Sequence, residues 1–244
     1  LYNSGVTGLA VPGTATLRWT ISNAPCAAST DDVVITTTAC FTCGGTLAIN
    51  HVIGVVAPET KSVNYGTVSS TLGGTGTKCW ITQNLGSTNQ AGSATDATDA
   101  AAGWYWQFNH MQGYKYDGTT RTPGTAWINP ISETSDWLAV NDPCTIELGT
   151  GWRIPTSTEW TNADATGAWN NYNEAYNSVL KLHAAGISMY SDGSLSDRAI
   201  YGFYWSSTLF TDANNARSLT ILSSGSYPNV NNNAYGHSLR CIKD

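Results

Sequence analysis

The sequence predicts an α+β fold of short helices, antiparallel strands and long loops, with a β-rich segment at its N-terminus. Three observations carry this. No stretch shows a long amphipathic helical period or a regular strand–helix alternation, which sets aside bundles and doubly wound sheets. From Gly202 onward apolar residues alternate as in strands, Phe203 with Trp205 and Leu219 with Ile221. After Pro155, Thr156-Ser-Thr-Glu159 has capping-box spacing, in which the Thr hydroxyl and the Glu carboxylate satisfy two N-terminal N–H groups reciprocally.

The elements follow in order. Residues 16–21 and 32–35 are β-rich runs parted by a Pro- and Ser-containing turn, a hairpin pattern. The texture changes after Thr38, so the expected organisation is a β-rich segment over 1–38 and a second domain over 39–244. Cys40-Phe-Thr-Cys43 and the Val/Thr-rich stretch to Val68 predict short strands and turns. Residues 72–77, LGGTGT, read as a flexible connector before a strand over 78–81. Residues 91–102 are Ala-rich and predict a helix or helical turn, broken by Gly103. An aromatic strand over 104–108 and a polar loop over 113–124 follow. The capping box opens a short helix carrying Trp160, and Tyr235, His237, Leu239 and Cys241 share one face of a last strand.

Charged residues are only 11% of the chain, aromatics another 11% with 10 Trp, and the net charge is −6. That balance opposes nucleic-acid binding, which needs a clustered Lys/Arg face. No apolar run approaches the ~18 residues of a membrane span. The chain begins at Leu1 without an initiator Met and reads as a mature or trimmed product. Six Cys form an even set in a charge-poor chain, as in an oxidising, extracellular setting. Cys40 and Cys43 have zinc-knuckle spacing, but no second CxxC or His pair completes a metal site. The preferred disulfides are Cys144 with Cys241, Cys43 with Cys79, and Cys26 with Cys40.

At Gly151-Trp-Arg-Ile-Pro-Thr156, Glu159-Trp160, Tyr204-Trp205-Ser-Ser-Thr208 and Ser238-Leu-Arg-Cys-Ile-Lys-Asp244 the chain resembles the Fibrobacter succinogenes major paralogous domain family. Cys79-Trp80-Ile-Thr-Gln-Asn84-Leu85 is similar to that family's earlier Trp-x-x-x-Asn-Leu element, so the resemblance spans residues 40–244. It implies a C-type-lectin-like fold, related to formylglycine-generating enzymes, in secreted or surface-attached bacterial proteins. It also implies kinship with retroelement-diversified proteins, whose variable segment corresponds here to residues 209–237. The strands of residues 14–36 resemble the closing strands of immunoglobulin-like repeats. Within the motifs, Gly151, Trp152, Trp160, Trp205 and Arg240 read as structural: Trp160 packs the capped helix on the sheet and Trp205 fills the core beneath.

The catalytic motifs are absent. Gly73-Gly-Thr-Gly-Thr-Lys78 lacks the ending of a phosphate loop, and the four His form no metal-protease pair. No Gly-x-Ser-x-Gly elbow occurs, and Cys241 alone does not supply the cysteine pair of a formylglycine-generating oxidase. The tripeptides with which lectin domains hold calcium are missing, and Asp31, Asp32, Asp96, Asp99, Asp117 and Asp192 read as turn or cap residues. The expectation is a chain that is not an enzyme and needs no cofactor or metal. Polar loops over 209–215 and 223–233 then become the candidate ligand surface, with Tyr227 as aromatic anchor and Asn214, Asn215, Arg217, Asn229, Asn231, Asn232 and Asn233 as hydrogen-bonding groups. The expected function is surface binding or adhesion toward a glycan or protein, the alternatives being a retroelement-diversified binder and a filament or surface-layer subunit whose N-terminal strands self-associate by strand addition.

Overall fold

Thr and β-branched residues crowd residues 13–37, and in the computed structural model, which describes residue 8 and residues 13–37 and 41–244, they form one antiparallel hairpin. Its strands β1 (Gly13–Ile21) and β2 (Ser29–Thr37) run nine residues each, longer than the sequence runs alone indicate. Arg18 and Asp32 face each other across it in a two-bonded ion pair, each bond 2.8 Å. Each strand pairs only with the other among the described residues. Trp19, Ile21, Val33 and Val34 are 56–64% exposed. The hairpin belongs to a unit over Leu1–Thr42, distinct from the unit Cys43–Asp244. Cys26 is exposed, and its expected pairing with Cys40 lies outside the described residues because Cys40 does.

The second unit opens with β3 (Thr46–His51), β4 (Lys61–Ser70), β5 (Lys78–Ile81), α1 (Asp99–Ala102), β6 (Tyr105–Trp106), β7 (Gly113–Asp117) and β8 (Thr120–Thr122). It continues through α2 (Pro143–Leu148), β9 (Trp152–Arg153), α3 (Ser157–Gly167), α4 (Tyr172–Asn177), β10 (Ile187–Ser188) and β11 (Leu195–Ser196). It closes with β12 (Gly202–Leu209), β13 (Asn215–Leu222), β14 (Gly225–Asn232) and β15 (Ile242–Lys243). With 13% helix and 37% strand, the α+β expectation holds in its broad form, with β dominant.

Two sheets organise this unit. One runs β3-β4-β5-β15-β9, so the chain's last strand sits between β5 and the Trp152–Arg153 strand. The other is the meander β12-β13-β14. The capping box forms as its residues dictate: Thr156 Oγ1 accepts from the Glu159 N–H at 3.2 Å, and Glu159 Oε2 accepts from the Thr156 N–H at 2.8 Å. The α3 it starts packs on β12, β13 and β14. Trp160 and Ala163 thereby join Trp80, Tyr204, Leu219, Ile221 and Ile242 in the main core cluster. The Trp160 indole N–H donates to the Trp205 carbonyl at 3.0 Å, so the helix is bonded as well as packed.

Disulfides lock both ends of this arrangement. Cys43 is bonded to Cys79 on β5, and Cys144 on α2 to Cys241 beside β15. The second closes a loop of 97 residues.

Several expectations need correction. Of residues 91–102 only Asp99–Ala102 is helical, because the Asp96 carboxylate draws in the N–H groups of Gly92 and Thr98 and the Thr98 hydroxyl, a local cage that competes with helix. The aromatic run 104–108 is buried throughout, but only Tyr105–Trp106 is strand. Residues 113–124 hold a hairpin, β7 with β8, turned at Gly118-Thr119 between paired Asp117 and Thr120. Gly118 has φ +63°, which glycine adopts without strain. Residues 223–233 are mostly β14, so only a two-residue turn separates β13 from β14. The connector 72–77 is anchored: Leu72 packs on the core and the Gly73 carbonyl accepts from Asn162. Residues 235–241 form no continuous strand. They bridge to Ser188, Trp106 and Tyr204 in turn, so no single partner sets a period of two.

Candidate ligand-binding surface

Directly paired residues of antiparallel strands share a face. Phe203 stands opposite Thr220 and Thr220 opposite Tyr227, while Ser218 pairs with Trp205 and Asn229, and Ala216 with Asn231. Tyr204, Leu219 and Ile221 point the other way, into the core beneath α3. Tyr227, Asn229 and Asn231 therefore lie on the face of Phe203, away from α3.

The final segment extends this face with aromatic rings. Ser188 and Gly236 exchange backbone hydrogen bonds of 2.8 and 2.9 Å, which sets residues 188–190 beside 235–236. The Ser238 N–H donates to the Phe203 carbonyl, bringing the same segment against β12. As a result Tyr190 and Tyr235 meet edge to face with centroids 5.0 Å apart, and Tyr201 and Phe203 lie 5.9 Å apart. His237 joins the two pairs, 6.1 Å from Tyr235 and 5.3 Å from Phe203. Tyr190 is 42% and Tyr227 45% exposed, while Tyr201, Phe203 and Tyr235 are half-buried. Burial first, then the neighbouring Tyr190, raises the Tyr235 pKa, so its phenol stays protonated at neutral pH.

Both carboxamides on this face are tethered by hydrogen bonds. Asn229 donates to Thr220 Oγ1 at 3.1 Å and accepts from the Val230 N–H at 2.8 Å. Asn231 accepts from the Ser218 hydroxyl at 2.7 Å, leaving its NH2 group as the donor on offer. None of the side chains named on this face carries a formal charge. Together they offer ring faces, phenol hydroxyls and amides, groups suited to stacking and hydrogen bonding.

The remaining candidates go elsewhere. Asn215, Arg217 and Asn232 alternate onto the opposite face, where the Arg217 guanidinium lies 5.1 Å from the Phe210 ring centre. Asn214 is exposed in the β12–β13 turn. Asn233 is fully buried; its NH2 donates to the Ala213 carbonyl and its backbone bonds Asn214 and Phe108, so it locks loops and is corrected to a structural residue. Tyr190, Tyr201, Phe203 and Tyr235 were not among the expected ligand groups. The alternation of Phe203 and the position of Tyr235 were visible, but their convergence with Tyr190 depends on backbone bridges that no sequence spacing encodes.

A second concavity, about 230 Å³, is lined by Glu59, Lys61, Thr88, Trp104, Lys115 and Asp117. Its charges are mutually engaged: Glu59 takes Lys61 at 2.9 Å and Lys115 at 2.8 Å, and Lys115 also reaches Asp117 at 3.2 Å. Near it Glu147 Oε2 meets His51 Nδ1 at 2.5 Å, and His51 Nε2 meets the Tyr65 hydroxyl at 2.7 Å. That chain has the order of a nucleophile relay. Tyr65 is nevertheless fully buried, its hydroxyl accepts from the Gly86 N–H, and burial drives its pKa far above the usual phenol value. The relay is a structural tie.

The aspartates weighed as ion ligands are committed locally: Asp32 to Arg18, Asp96 to Gly92 and Thr98, Asp99 to Arg198, and Asp192 to Ser194. Comparison with protein-family profiles, with curated proteins and with solved structures finds no significant match to this chain.

Proposed function

We propose that this chain is an extracellular bacterial surface-binding or adhesion module, non-catalytic, that presents the Phe203–Tyr227 face of its β12–β14 sheet to a ligand. The observation that carries the reading is the presence on one face of five partly exposed aromatic rings, Tyr190, Tyr201, Phe203, Tyr227 and Tyr235, with two tethered carboxamides, none of these side chains formally charged. Two disulfides, and no helix among the described residues long and apolar enough to cross a membrane, are consistent with the extracellular setting. The motif resemblance supports a C-type-lectin-like fold of the Fibrobacter succinogenes major paralogous domain type. Binding of the purified chain to an array of immobilised glycans and peptides tests the reading, with Asn229→Ala/Asn231→Ala as the comparison. Signals lost in this variant support it, and signals equal in both chains sink it.

A second reading, a filament or surface-layer subunit joined by strand addition, draws on the hairpin. Among the described residues both β1 and β2 have an open edge, and isolated two-stranded sheets are marginal in water. Trp19, Ile21, Val33 and Val34 stand exposed along them. Light scattering and negative-stain microscopy of the wild type and Val34→Lys test it: assemblies that disperse in the variant support strand addition, and a monodisperse wild type excludes it.

A further inference from the structure

We propose that the ligand of the β12–β14 face is a neutral, linear glycan lying across the strands from the Tyr190–Tyr235 pair toward Tyr227. The inference rests on the binding-surface reading above and adds the chemistry of what binds.

Neighbouring strands lie about 4.8 Å apart, so the Phe203–Thr220–Tyr227 row places the outer two residues roughly 10 Å apart, two strand spacings. Thr220 between them is almost fully buried, so the row presents a ring at each end with the Asn229 amide alongside. Tyr190 and Tyr235 continue it beyond Phe203 through His237. Rings at intervals with amides beside them match a chain of pyranoses, whose C–H faces stack on aromatic rings and whose hydroxyls take and give hydrogen bonds.

The side chains named on the face carry no formal charge, the Asp197 carboxylate acts on Tyr235 beside it, and the whole chain carries −6, so uronates and sulfated sugars meet a repulsive field. Tyrosine hydroxyls and carboxamides also fit a lipid tail poorly, since each would lose water without gaining a partner.

The sheet edge decides against an extended peptide. β14 is the outer strand of its sheet, and Pro228 sits in its middle, opposite Leu219. Proline has no N–H to offer an incoming strand and blunts the edge against pairing. The face, rather than the edge, is left for recognition. Backbone bridges and the His237–Trp205 stack hold the rings in place before any ligand arrives, which lowers the ordering cost of binding.

Calorimetric titration with neutral oligosaccharides of increasing length tests this, using the whole chain and the variants Tyr227→Ala and Tyr190→Ala. Both substituted residues are exposed enough to spare the fold, and circular dichroism checks that they do. Affinity is expected to rise with length and then level off, to lose about tenfold in each variant for the longer chains, and to be insensitive to salt. Binding restricted to acidic glycans and weakened by salt overturns the proposal. So does variant-sensitive binding of peptides with no glycan bound, an outcome that leaves the surface reading intact. Binding unaffected by both substitutions removes the glycan inference and the surface reading together.

Discussion

The imidazole of His237 lies flat against the indole of Trp205, ring centroids 3.8 Å apart and planes inclined by 18°. His237 is fully buried, neither of its ring nitrogens is hydrogen-bonded among the described residues, and loss of water holds its pKa well below the usual histidine value. His183 is similarly buried and is lowered to about 3, by burial first and then by the Arg240 charge. In the unfolded chain both take up a proton near pH 6.5, whereas in the folded chain both stay neutral. The unfolded state thus binds more protons below pH 6.5, so stability is greatest above that value and falls as the pH drops. Each histidine contributes about 1.4 kcal/mol per pH unit to that fall. Urea unfolding at pH 7.5, 6 and 5 should show the slope, before most carboxylates titrate. His237→Phe keeps a ring on Trp205 and should remove its share; an unchanged slope would contradict the account.

The start of α3 gives a second prediction. Thr156→Ala removes the acceptor for the Glu159 N–H and should cost about 1 kcal/mol. Glu159→Ala removes more: the reciprocal cap and both 2.7 Å bonds from Arg153. Burial raises the Glu159 pKa, but Arg153, the Thr156 N–H and Lys78 outweigh it and hold the carboxylate ionised. Roughly 2–3 kcal/mol is expected, since Arg153 keeps some contact with water. Denaturant midpoints would check the order, and equal losses would refute it.

The disulfides give a third. Cys144–Cys241 spans 97 residues and Cys43–Cys79 spans 36. The chain-entropy relation assigns them about 5 and about 4 kcal/mol. Thermal melts of the paired Ser variants should place the Cys144/Cys241 variant lower, and reductant should lower the wild-type Tm. A melt indifferent to reductant would argue against both bonds.

Local signals were legible in the sequence, and distant ones were not. The capping box, the strand at Lys78–Ile81 and the alternation through Phe203 and Leu219 follow from residue spacing, because hydrogen bonds and burial act there over a few positions. The Ala-rich segment misled because a single Asp96 side chain competes with the helix it precedes. The β7–β8 hairpin was hidden among polar residues, although Asp117-Gly118 marks its turn. Of the expected ligand groups, Tyr227, Asn229 and Asn231 stand together because β14 is a strand, and the same period of two turns Asn232 and Arg217 away. The aromatic half of the surface depends on Ser188 meeting Gly236 across 48 residues, which local pattern does not carry.

The most direct test compares two single variants on one immobilised ligand from the array. Tyr227→Ala alters the proposed face, and Asp117→Ala alters the rim of the Lys61–Trp104 cleft. Equilibrium dissociation constants measured by biolayer interferometry should weaken about tenfold for Tyr227→Ala and stay within twofold of wild type for Asp117→Ala. The reverse pattern, with Asp117→Ala weakened and Tyr227→Ala unchanged, would move the binding site to the cleft and contradict the account.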